Sequence, residues 1–321
     1  MGSAVAAGMV LGFAVDRALG DPRRGHPVAG FGNVASRLER VTYRDGRWAG
    51  VVHELVLVGG AAGIGAGARR VAGGGRRGRG EVAGARAFGQ VLVTAAATWT
   101  VLGGTTLAKT GREMADLLEG GDIEGARALL PSLCGRDPEL LDADGLARAA
   151  LESIAENTSD ATVAPLFWGA VAGAPGLFAY RAINTLDAMV GYRNERYSRF
   201  GWAAARTDDV ANLGAARVAG LLTVALAPVI GGRPRDAWRA WRRDAGKHPS
   251  PNAGVAEASM AGALGVRLGG CTEYRHGIEM RPTLGDGPAP RVPDLRRAVR
   301  LSEAVQVAAV AVAAAVALAR H

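Results

Sequence analysis

LGAARVAGLLTVALAPVIGG, residues 213–232, carries a single charged side chain, Arg217, in twenty residues. A helix needs about 20 mostly apolar residues to cross the hydrocarbon of a bilayer, so this stretch predicts a membrane span. Two further runs read the same way: residues 87–108 (AFGQVLVTAAATWTVLGGTTLA) and 303–319 (EAVQVAAVAVAAAVALA), all rich in Ala and Val rather than Leu. Residues 48–68 give a fourth candidate despite His53 and Glu54 near its start. There Gly59, Gly63 and Gly67 recur every four residues, a spacing that predicts close packing against another helix. Gly63-Ile64-Gly65 in the same run lacks the third glycine and the strand context of a dinucleotide loop.

The shorter run at 4–15 ends at Asp16 and Arg17, with neither a basic leader nor a small-residue cleavage site. It reads as a first span or interfacial helix rather than a cleaved signal peptide. Residues 161–181 are apolar but contain Pro165 and Pro175, which predicts a broken or re-entrant segment lining a cavity. The fold expected is mainly α: one polytopic membrane domain over 1–321, with about four to six apolar helices. Polar helical or loop segments occupy 109–160 and 233–300, and the glycine pair Gly120-Gly121 divides two short helices in the first of these.

Composition narrows the classes further. Of 321 residues, 49% are hydrophobic and 21% charged, and the mean hydropathy is +0.10, which suits spans alternating with polar loops. Cys134 and Cys271 stand far apart without CxxC spacing, so neither a disulfide framework nor a zinc site is indicated. The net charge of +8 is compatible with nucleic acid, anionic lipid or phosphorylated substrates. Scattered arginines, 5% aromatics and no recognition module argue against nucleic acid. The loops 16–47 and 69–86 are both basic, so charge asymmetry does not orient the span between them.

Chemistry-bearing residues fall into four clusters. In DRALGDPRRGHPVAGFG (16–32), Asp21-Pro22 and His26-Pro27 predict extended or turn backbone. In LESIAENTSDATVAP (151–165), Glu152, Glu156 and Asp160 share one face of a helix, where a cation or an arginine must offset their repulsion. A solvated acidic face is the competing reading.

The third cluster, NTLDAMVGYRNERY (184–197), continues to Asp208, Asp209 and Asn212, with Arg193, Arg196, Arg199 and Arg206 between the acids. Carboxylates with amides can hold Mg²⁺, and arginines donate bidentately to phosphate or carboxylate. In the fourth, KHPSPNAGVAEASMAGALGVRLGG (247–270), a rigid loop precedes the helix carrying Glu257 and either cradles an anion or merely caps that helix. There is no P-loop, kinase set, HExxH or nucleophile elbow.

These clusters in this order resemble the cobinamide-phosphate synthase family of cobalamin biosynthesis. The resemblance rests on GDPRRGHPV (20–28), ESIAENTSDATVAPLFW (152–168), YRAINTLDAMVGYRNERYSRFGWAAARTDDVANLGAAR (180–217), HPSPNAGVAEASMAGALGVRLGG (248–270) and EMRPTLG (279–285). A glycine- and arginine-rich insert near 72–80 departs from the pattern.

The resemblance implies an ATP-dependent ligase of the cell membrane with its active face in the cytosol. It would join a carboxylate of adenosylcobyric acid to (R)-1-aminopropan-2-ol phosphate, giving adenosylcobinamide phosphate. Mg²⁺ and ATP are expected at Asn184, Asp187, Asp208 and Asp209, with Arg193 and Arg196 on the phosphates. Glu156, Glu195 or His248 is expected to take the proton from the amine. His26, Asn157, Asn194, Ser250 and Asn252 complete the expected substrate contacts, and late corrin-pathway enzymes are expected partners. A membrane transporter and a structural anchor of a corrin-pathway complex are the alternatives.

Overall fold

A computed structural model describes residues 2–22, 25–73, 83–274 and 277–320. Most of the glycine- and arginine-rich insert, together with Arg23 and Arg24 of the first cluster, lies outside the described residues.

The chain is mainly α-helical and polytopic. Among the described residues five helical stretches are long and apolar enough to cross a bilayer: Gly2–Leu19, Arg47–Ala72, Gly84–Glu119, Trp202–Ile230 and Val292–Ala319. The shortest has 18 residues, which at about 1.5 Å each just spans the hydrocarbon layer. Three of the four long runs read from the sequence fall within these helices, the fourth, 213–232, overruns its helix only by Gly231 and Gly232, and the run at 4–15 lies in the fifth, α1 (Gly2–Leu19).

The described residues cluster into two compact units interleaved along the chain. The first comprises Met1–Gly103, Ala164–Asn212 and Val310–His321. It contains α1, α2 (Pro27–Thr42), α3 (Arg47–Ala72) and α4 (Ala83–Val101). The segment after residue 163 adds α8 (Ala164–Ala172), α9 (Ala174–Val190) and the start of α10 (Trp202–Leu226). Within this unit α1 packs along α4, and α9 lies against α2, α3, α4 and α8. One hydrophobic core joins Ala35, Leu57, Leu186, Val190, Phe200 and Ala204; a second joins Ala97, Val101, Ala174 and Leu177.

The expected break in 161–181 is present and has two causes. A π-turn at Ser159–Val163 ends the preceding helix, and Gly173, at φ 66°, separates α8 from α9. Pro175 sits in the first turn of α9, where its missing N–H costs nothing, and Pro165 follows directly on the π-turn.

The helix-packing role expected of Gly59, Gly63 and Gly67 is not met: all three are exposed, and a side chain built on any of them would touch nothing. The close approaches of α3 are made by two glycines outside that spacing. Gly50 lies against the backbone of Phe200, and Gly65 against the Ala174–Pro175 backbone at the start of α9.

The second unit comprises Gly104–Val163 and Leu213–Ala309. Here α5 (Gly104–Glu119) packs on α6 (Ile123–Leu129) and α7 (Ala143–Thr158). Gly120 and Gly121 fall between α5 and α6, where the sequence placed a break. The all-buried α12 (Ala253–Leu264) sits between α7 and α11 (Pro234–Asp244). Thr158 of α7 meets Ser302 of α13 (Val292–Ala319) through a hydroxyl pair at 2.6 Å, and Gln306 donates to the same Ser302 oxygen. An antiparallel hairpin, β1 (Leu268–Tyr274) with β2 (Gly277–Leu284), follows α12, its register shifting between Leu268 and Gly270. The sequence reading placed only helix and loop there.

Candidate active site

In the first unit, α9 carries Asn184 and Asp187 one turn apart, α10 carries Asp208, Asp209 and Asn212, and α3 brings Glu54. A chain of donors fixes one wall. The Tyr180 hydroxyl donates to Asn212 Oδ1 at 2.9 Å, and the Asn212 amide donates to Asp208 Oδ2 at 3.0 Å. Arg181 holds Asn184 Oδ1 at 3.3 Å while its Nε anchors on the Val101 carbonyl at 2.7 Å. The Asn184 side-chain amide also hydrogen-bonds to the Asp208 carboxylate.

Beyond that wall Arg206 pairs with Asp209 at 3.5 Å, while Glu54, Asp187 and Asp208 have no cationic partner among the described residues. Glu54, at 5% exposure, has the Thr207 hydroxyl beside it and no charged donor, and Oδ1 of Asp208 receives no hydrogen bond of good geometry among the described residues. Asp187 acts electrostatically on both Glu54 and Asp208. Burial, and then the Asp209 charge, push the Asp187 carboxyl above its ordinary pKa. Buried carboxylates accumulate repulsion unless they are protonated or meet a cation. Among the described residues no three His, Cys, Asp or Glu side chains form a ready metal cage. A cation such as Mg²⁺, which keeps several waters and uses one or two carboxylates together with substrate phosphates, fits such a partly open donor set.

The arginine-rich loop after α9 is tied to α2 and the turn that follows it. Arg196 pairs with Glu39 at 2.8 Å and stacks over the Tyr43 ring at 4.1 Å, while the Tyr197 hydroxyl donates to Glu39 at 3.1 Å. Asn194 Oδ1 accepts from the Tyr197 N–H at 2.9 Å and so shapes the turn. Arg193 and Glu195 are exposed. His26 caps α2, its Nδ1 accepting from Val28 N–H at 3.1 Å. An apolar groove of about 650 Å³ lies among α2, α3, α4 and α9, with Arg181 among its lining residues.

The second unit buries a different cluster. Glu152, at 3% exposure, accepts from Arg136, from Arg281 Nη1 at 2.7 Å and from Gly269 N–H at 2.9 Å. The arginine compensation required of the acidic helix is therefore present at Glu152. The three-carboxylate row is not: Glu156 is exposed, and the π-turn widens the helix before Asp160 can come into line. Asn157 bonds back to the Ser153 carbonyl at 2.9 Å.

Arg281 Nη2 reaches both His248 Nε2 at 3.2 Å and Glu257 Oε1 at 3.4 Å. Arginine only donates, so His248 Nε2 accepts, while Nδ1 faces Ser250 alone, 3.0 Å from its N–H and 3.2 Å from its carbonyl. Burial, reinforced by Arg281, lowers the His248 pKa, so the ring is neutral at pH 7. Both of its nitrogens are engaged within the chain. Burial raises the Glu257 carboxyl, with the charge of Glu152 adding to the effect. Ser250 Oγ accepts from Asn252 and Ala253 N–H, capping α12, and Asn252 Oδ1 accepts from Arg217 at 2.8 Å. Sequence reasoning assigned no site role to Glu54, Arg136, Glu257 or Arg281. For Glu54 the signal was available, since an acid inside an apolar run marks a functional position.

A family model described as CobD/Cbib protein matches residues 9–302. The chain belongs to the CobD/CbiB family. It is 58% identical over 308 residues to "Cobalamin biosynthesis protein CobD" of Mycobacterium tuberculosis (strain ATCC 25618 / H37Rv), covering 96% of this chain and 94% of the relative. Proteins of the same name from Geobacter metallireducens and Rhodobacter capsulatus are 43% and 42% identical. The first alignment covers 86% of this chain and 85% of the relative, the second 92% of each. No solved structure matches. The family match runs through both clusters, the acids of the first unit and the arginine–glutamate–histidine group of the second.

Proposed function

We propose that this CobD/CbiB member serves cobalamin biosynthesis as an ATP-dependent acid–amine ligase, joining adenosylcobyric acid to (R)-1-aminopropan-2-ol phosphate. The observation that carries the reading is the buried Glu54 grouped with the half-buried Asp187 and Asp208, none of which is paired with a basic side chain among the described residues. A carboxylate is a poor electrophile. Attack of its oxygen on the γ-phosphorus of ATP expels ADP and leaves an acyl phosphate. The amine nitrogen then attacks the acyl carbon, phosphate departs, and a base accepts the proton lost from nitrogen.

Asp187, Asp208 and Asp209, with Asn184, would hold Mg²⁺, which when bound neutralises charge on the nucleotide phosphates. Tyr180 and Asn212 orient Asp208 for that role. Arg193, exposed and next to the acids in the chain, is placed to meet phosphate from solvent. Arg196 supports the loop instead, through Glu39 and Tyr43. With both His248 nitrogens engaged, the exposed Glu195, in the same unit as the acids, is the better base. The apolar groove beside Arg181 offers a platform for the corrinoid's hydrophobic edge, and the ATP requirement places the active face in the cytosol.

Asp187→Asn and Asp208→Asn keep side-chain shape while removing charge. Each is expected to reduce ATP-dependent amide formation by at least about a hundredfold in membrane-inserted protein. Wild-type conversion by both variants contradicts the assignment.

A further inference from the structure

The second unit presents a basic surface that the ligase reading does not use. Helix α11 starts at Pro234, four residues beyond Ile230, the last residue of the fourth apolar span. A connection of that length reaches about 14 Å even when fully extended, and Gly231, at φ 74°, bends it. The start of α11 is thus held at the edge of the bilayer, whose headgroup layer adds roughly 5–8 Å on each side.

The helix is two-sided. Ala237, Ala240 and Asp244 are buried, and the helix packs on α12. Arg235, Trp238, Arg239 and Arg242, at the i, i+3, i+4, i+7 spacing of one helix face, are exposed. Of Arg235, Arg239 and Arg242, only Arg239 is paired with an acid among the described residues, Asp236 at 3.3 Å, while Arg243 beside them pairs with the buried Asp244. Trp238, 42% exposed, packs edge-on to Trp241 with ring centroids 5.1 Å apart, and the Arg242 guanidinium stands 5.8 Å over its ring. Indole rings concentrate at the membrane–water boundary, and arginines there attract anionic headgroups.

We propose that the outer face of α11 binds the phosphate headgroups of anionic phospholipid, with Trp238 seated at the acyl boundary and Arg235, Arg239 and Arg242 on the phosphates. Charge complementarity and continuity with the span commit the site to lipid rather than to a soluble anion.

Native mass spectrometry of the full-length protein in detergent tests this with mixed phosphatidylglycerol and phosphatidylcholine. Wild type is expected to retain phosphatidylglycerol preferentially. The Arg235→Gln/Arg239→Gln/Arg242→Gln variant is expected to lose that preference by on the order of fivefold per arginine, and the matching triple Lys variant to keep most of it. Should the triple Gln variant not fold, Arg235→Gln and Arg242→Gln singly carry the same test. A Gln variant within about twofold of wild type, well short of that charge effect, overturns the proposal. So does displacement of phosphatidylglycerol from wild type by inorganic phosphate at the same concentration.

Discussion

Asp244 shows how single residues in this chain are held. Its side chain is 1% exposed and accepts from Arg243 at 2.6 Å, Lys247 at 2.8 Å and Gly285 N–H at 2.9 Å. The hydrogen bonds from Arg243, the largest influence, hold the Asp244 carboxyl well below the usual carboxylate range. A depressed folded pKa means stability that is complete above the unfolded value near 3.9 and lost as pH falls toward the folded value. Asp244→Asn is therefore expected to cost about 2 kcal/mol at pH 7. In thermal unfolding in detergent, the gap to wild type should close progressively below about pH 4. The acid cluster of the first unit is the opposite case: Asp208 has amide partners on one side and no donor on the other. Sequence alone located Asn184, Asp187, Asp208 and Asp209, because acids and amides recurring beside apolar runs are conspicuous. It could not show that Arg196 is committed to Glu39, because that partner lies 157 residues away.

At the level of elements, hydropathy made the spans legible, since each is a continuous apolar run of bilayer length. The packing within them was not legible. Glycine spacing pointed to Gly59, Gly63 and Gly67, yet α3 meets its neighbours through Gly50 and Gly65. The reason is geometric: a small residue permits close approach only where another backbone comes to meet it. Gly65→Val should lower stability by about 3 kcal/mol, because its side chain must displace the Ala174–Pro175 backbone. Gly63→Val, facing open space, should leave the thermal midpoint within a degree or two, the usual range for a surface change. Equal losses from the two variants would contradict this arrangement. The hairpin escaped the sequence reading because LGGCTEY and GIEMRPTL lack the β-branched runs that announce strands, and glycines at φ 76° and 89° shape its bulge.

At the scale of the molecule, the multi-pass helical architecture and the CobD/CbiB kinship rest on separate observations, five apolar helices and near full-length identity. The two compact units were hidden in the sequence because α10 and α13 each contribute residues to both, so no linker marks the boundary. What joins architecture to chemistry is the claim that this membrane protein activates a carboxylate with ATP. The most direct measurement is mass detection of amide product after incubating the detergent-purified protein with adenosylcobyric acid, aminopropanol phosphate and Mg-ATP. The account predicts adenosylcobinamide phosphate with one ADP released per amide formed, and none when ATP is omitted. Product that forms equally without ATP, or no product from folded protein with every substrate present, would contradict it.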